Sequence, residues 1–83
     1  MSLFHFNIHH SGMLARDEEG LELPDLETAR REAIAGARAI MAEELTKGRL
    51  CLGSHIEIED GEGRLLAKVP FREAVTLSGL EHE

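Results

Sequence analysis

The sequence predicts an α+β fold: a two-layer ββαββ domain in which a four-stranded antiparallel sheet, ordered 2-1-3-4, carries one long helix on one face. Three observations predict it. Residues 3–9, "LFHFNIH", alternate apolar and polar side chains. Residues 26–47 repeat apolar side chains at steps of three and four. Residues 55–71 hold two further strand-like runs, "HIEIE" and "RLLAKVPF", on either side of the turn "DGEG". Period two marks a half-buried strand, and period 3.6 marks a helix with one apolar face.

In the first strand Phe4, Phe6 and Ile8 point one way, and Leu3, His5, Asn7 and His9 the other. "HSG" is a turn, and "MLARDEE" returns as a second, shorter strand that fades into an acidic run. Gly20 breaks that strand and "LELP" leads to the helix. Pro24 disfavours an α conformation at Leu23, and Asp25 suits the N-cap. From there apolar residues fall at 26, 29, 33, 34, 37, 40, 41 and 45. Gly48 stands where a left-handed C′ glycine stops a helix. Glu27 with Arg31, and Glu43 with Lys47, are i,i+4 pairs worth about a few tenths of a kcal/mol each. Acids before the first turn and Lys47 in the last suit the helix dipole. "RLCLGS" is a connector. In the third strand Ile56 and Ile58 face inward, with His55, Glu57 and Glu59 outward. Pro70 cannot donate a ladder hydrogen bond, which puts the fourth strand at an edge. "FREAV" makes one helical turn. Residues 1–77 form a single domain and 78–83 a frayed tail.

The totals narrow the function. An 83-residue chain with three Phe and no Trp or Tyr has little core, and self-association is a way to gain burial. The net charge of −7 argues against nucleic acid and anionic membrane, because phosphate neutralisation supplies most of such affinity. One cysteine, Cys51, rules out an internal disulfide and a cysteine-rich zinc cage. It fits a reducing compartment. No basic start with an apolar run opens the chain and no 18-residue apolar stretch occurs, so the expected location is the cytoplasm.

Three segments carry a resemblance: "FHFNI", "DEEGLELPDLETARREA" and "IEIEDGEGRLLAKVPFREA". Their pattern, F-x-F-x-I, then D-x-x-G-x-E-L-P-D-L-x-x-A-R-x-E-A, then I-E-x-x-D-x-x-G-x-x-L-x-x-V-P-F-x-x-A, resembles a family of small bacterial proteins known only as a domain of unknown function. The likeness spans residues 4–77. Members usually open with an aromatic triplet, where this chain has His5 between two Phe. The resemblance implies a stand-alone cytoplasmic domain and brings no activity, substrate or cofactor with it.

Two groups of residues could carry chemistry. Asp17, Glu18, Glu19, Glu22 and Asp25 are oxygen donors, but their spacing departs from a calcium loop. Gly20 as a turn, with Pro24 and Asp25 opening a helix, accounts for the stretch as architecture. The second group is the helix-free sheet face. His5 and His9 lie roughly 13 Å apart along one strand and cannot chelate one ion together. With the third strand beside the first, His55, Glu57 and Glu59 join His5, Asn7 and His9 on that face. It reads as a solvated polar surface, as a self-association contact including Leu3 and Leu66, or as a metal or small-ligand site. Cys51, between two leucines, reads as an inert thiol, and Ser11, Ser54 and Ser78 as turn serines. No catalytic residue and no cofactor is implied. The expected function is a small non-catalytic binding or regulatory module acting by protein–protein contact, through the open face or a strand edge. The alternative is a metal- or ligand-binding protein using the His/Glu face. The expected partner is a second copy or another protein.

Overall fold

The computed structural model describes residues 1–80. Its elements are β1 (Ser2–His10), β2 (Met13–Ala15), β3 (Leu21–Leu23), α1 (Leu26–Thr46), β4 (His55–Asp60), β5 (Leu65–Pro70) and a 3-10 turn at Phe71–Ala74. The architecture is α+β, with one helix and an antiparallel sheet. The sheet has five strands, not four: the path runs β2-β1-β4-β5, and β3 also pairs with β1. "LEL" looks like a connector because three residues are too few to show a period. It becomes a strand because β2 covers only Ile8–His10 of the long first strand, leaving Ser2–Phe4 free to pair with Leu21–Leu23.

Tight turns place the strands. His10 pairs with Met13 across a two-residue loop in which Ser11 and Gly12 both have positive φ, 55° and 77°. That is the twist a hairpin favours. In the β4–β5 hairpin the Asp60 carboxylate accepts from the backbone N–H groups of Glu62 and Arg64, both at 2.9 Å. β5 lies at the end of the sheet path, where Pro70 leaves no ladder bond unmade.

The helix starts at its expected cap. Asp25 Oδ1 accepts from Thr28 N at 2.8 Å and from Thr28 Oγ1 at 2.7 Å. At the other end Lys47 is the C-cap rather than a last-turn residue. Gly48 N donates to Leu45 O and Arg49 N to Glu44 O, both at 3.0 Å, a Schellman closure with Gly48 at φ 84°. Arg31 lies 3.5 Å from Glu27. Glu43 and Lys47 form no ion pair among the described residues; Glu44 instead meets Arg49 at 3.3 Å.

The helix face against the sheet is narrow and made of small residues. Ala29, Ala33, Ala37 and Met41 are its buried positions, stacked at four-residue steps. They pack with Phe4, Ile56, Ile58, Val69, Phe71 and Ala74 into one core, and Phe6, Ile8, Leu26, Ile34 and Ile40 flank it. The 3-10 turn closes the end of the layer: Phe71 is fully buried, and Arg38 Nε donates to Ala74 O at 2.6 Å. Of the expected tail, residues 78–80 form no helix or strand, and residues 81–83 lie outside the described residues.

Candidate functional site

The helix-free face of the sheet is set by the β1–β4 register. His9 stands opposite His55, Asn7 opposite Glu57, and His5 opposite Glu59. All six candidate residues therefore share one surface in three cross-strand rows. They do not form one site.

The β1 side of the face at His5 and Asn7 is roofed, contrary to the expectation of an open face. Residues 16–20 bulge out between β2 and β3 and fold back across it. Asn7 is buried, 3% exposed, and its Oδ1 accepts from Asp17 N at 2.9 Å. His5 Nδ1 donates to the Asp17 carbonyl at 2.7 Å. The Asp17 carboxylate accepts from Phe6 N and Gly20 N, both at 3.0 Å. It thus replaces the ladder partner that β1 lacks between its two short neighbours. Burial acts on Asp17 to raise its pKa, but the backbone donors of Gly20 and Phe6, with the charge of His5, bring it below the usual value. Gly20 adopts φ 78°, and a Cβ there would sit 2.9 Å from Leu3 Cδ1 and 3.0 Å from Phe4 O. Glycine is required on both counts. Leu3, packed here, is half-buried. Leu66 stays exposed at 38%.

Of the acidic run, Asp17 and Asp25 are hydrogen-bond acceptors with structural work, while Glu18, Glu19 and Glu22 are exposed. A shallow polar depression of about 300 Å³ remains beside the roof, lined by His5, Arg16, Asp17, Glu18 and Glu59 among others.

The row of His9 and His55, with Glu57 from the row beside it, is open and compact. The His9 and His55 rings stack, with centroids 4.4 Å apart and planes 11° from parallel. One carboxylate faces both rings: His55 Nε2 donates to Glu57 Oε2 at 3.2 Å, and His9 Nε2 lies 3.3 Å from Glu57 Oε1. The hydrogen bond from His55 is the main reason Glu57 titrates below the usual glutamate value; burial opposes it, and the charge of both histidines assists. One ligand atom from each of the three residues can be taken so that all lie within 4.8 Å of one another. Among the described residues this is the one His/Cys/Asp/Glu group close enough to hold an ion. His5 and Glu59, counted with it from the sequence, share a row of their own, next to that of Glu57 and two from that of His9 and His55.

At the end of the sheet a cleft of about 400 Å³ is lined by His9, His10, Cys51, Ser54 and His55 with neighbouring backbone. Ser54 is no turn serine. It is buried, hydrogen-bonded to His10 Nδ1 at 2.6 Å and 3.3 Å from Cys51 Sγ. The hydrogen bond from Ser54, then that from the Gly53 backbone, pushes the Cys51 thiol down from its usual value. His10 stacks on Phe71. Neither His10 nor Ser54 stands out in the sequence, because their contact spans 44 positions and no local motif encodes it.

The comparisons with known proteins bear on this surface as a whole. A family model described as a domain of unknown function (DUF6894) matches residues 3–72, from the start of β1 into the 3-10 turn. The chain belongs to this family. The match takes in all three rows of the sheet face and the roof over Asn7. No curated protein and no solved structure matches the chain. No helix among the described residues is long and apolar enough to cross a membrane.

Proposed function

We propose that the protein is a small non-catalytic binding module acting by protein–protein contact through the outer edge of β2, with a second copy of the chain as partner. The observation that carries this reading is the contrast between the two ends of the sheet. β5 ends in Pro70 and carries Lys68, two devices that discourage a further strand from adding. β2 is Met13-Leu14-Ala15, with no charge and no proline, and all three residues are exposed. Met13 is 75% and Leu14 46% exposed. Beside this edge an apolar groove of about 330 Å³ is lined by Ile8, His10, Met13, Leu14, Ala15 and Ile40. A facing β2 would satisfy the unpaired backbone and cover the apolar side chains in one step.

Light scattering on metal-stripped protein tests it. The expected result is a dimer mass for the wild type, a monomer for Leu14→Lys, and an unchanged dimer for Lys68→Glu at the opposite edge. A wild type that stays monomeric at high micromolar concentration rejects the reading.

A further inference from the structure

We infer that His9, His55 and Glu57 form a binding site for one divalent transition-metal ion of the zinc class, on the open part of the sheet face. The site is separate from the β2 edge contact and does not depend on it.

The geometry is close to that of a bound ion. Tetrahedral zinc holds nitrogen and oxygen ligands at about 2.0–2.1 Å, which puts neighbouring ligand atoms about 3.3 Å apart. Each histidine Nε2 already stands at that length from one carboxylate oxygen, His9 3.3 Å from Oε1 and His55 3.2 Å from Oε2 of Glu57. One ligand atom from each residue lies within 4.8 Å of the other two, a separation short enough for side-chain rotation to close. The backbone needs no change, because His9 and His55 are direct partners in the ladder and Glu57 follows two residues on, on the same face. Rigid strands therefore present all three donors.

The donor set selects the ion. Two imidazoles and one carboxylate suit zinc, and also cobalt, nickel or copper. Calcium takes six to eight oxygen ligands and magnesium near-ideal octahedral oxygen, so neither fits. Side-chain exposures of 36% for His9, 20% for His55 and 27% for Glu57 leave the row accessible from solvent, with a coordination position free for water or an outside ligand. An ion here would replace two N–H···O contacts with two N–metal bonds.

The test uses the full chain, stripped of metal. Titration calorimetry with Zn²⁺ is expected to give one site per chain, and Zn²⁺ at a few times the dissociation constant to raise Tm by about 4–8 °C, with no effect of Mg²⁺. Glu57→Gln and His55→Ala are expected to lower the affinity at least tenfold, while Glu59→Gln leaves it unchanged. A wild-type measurement guards against a variant that folds poorly: on adding Zn²⁺, the imidazole ¹⁵N signals of His9 and His55 shift while those of His5 and His10 do not. Absence of Zn²⁺ binding, unaltered affinity in both variants, or shifts confined to other histidines would overturn the inference. The β2 contact is measured without metal, so either proposal can fail alone.

Discussion

Asp17 ties four residues of this structure together. Its backbone and carboxylate together reach His5, Phe6, Asn7 and Gly20, closing the gap between β2 and β3 along β1. Asp17→Ala leaves two partly buried N–H groups without an acceptor, and the expected loss is about 1–3 kcal/mol in urea unfolding. The pH dependence follows from the sign of the shift. A carboxylate whose folded pKa lies below its unfolded value, 3.8 for Asp17, contributes stability above that value and loses it as pH falls through the folded pKa. Glu57 acts in the same direction. Wild-type stability is therefore expected to fall as pH drops below about 4. Asp17→Asn should be less stable at pH 7 and should lose less on acidification; an unchanged acid limb in that variant would assign the pH dependence elsewhere.

At the level of elements, the helix is defined by its ends and by its smallest residues. Asp25 and Gly48 bound it through side-chain and backbone hydrogen bonds respectively. Between them the alanines at 29, 33 and 37 let it lie close on Ile56 and Ile58. Even Gly36 is near enough that a Cβ would meet Ile56 Cδ1 at 3.9 Å. A larger side chain at the fully buried Ala37 has no space to enter. Ala37→Leu is expected to cost about 1–3 kcal/mol through overpacking, read as a lower urea midpoint with an unchanged slope. A neutral or stabilising result would mean that the helix can move away from the sheet freely.

For the molecule as a whole, a small core makes each buried ring count. A domain of 83 residues is typically stable by roughly 4–12 kcal/mol. Phe71 is fully buried, stacks on His10, and ties the 3-10 turn to the residue before β4 through its N–H to Ser54 O at 2.8 Å. Phe71→Ala is expected to cost about 3–5 kcal/mol, enough to leave a large part of the chain unfolded at 37 °C, as circular dichroism would show. A cooperative melt close to that of the wild type would show that the turn is dispensable to the core.

By itself the sequence determined whatever depends on neighbours along the chain. The alternation of Phe4, Phe6 and Ile8 defined a strand face; Asp25 and Gly48 defined the helix; "HSG" and "DGEG" defined hairpins. Each is a local preference with a local physical cause. The tertiary structure decided what depends on residues distant in sequence. Leu21–Leu23 became a strand only because β1 had an edge to offer, and Asn7 became buried only because Asp17 needed Phe6. The sheet-face residues His5, His9, His55, Glu57 and Glu59 were legible as a group from their period. Which three converge was not, because a ladder shifted by two residues would keep every side chain on the same face and yet part His9 from His55. Register is a property of paired strands, and a single strand's sequence does not contain it.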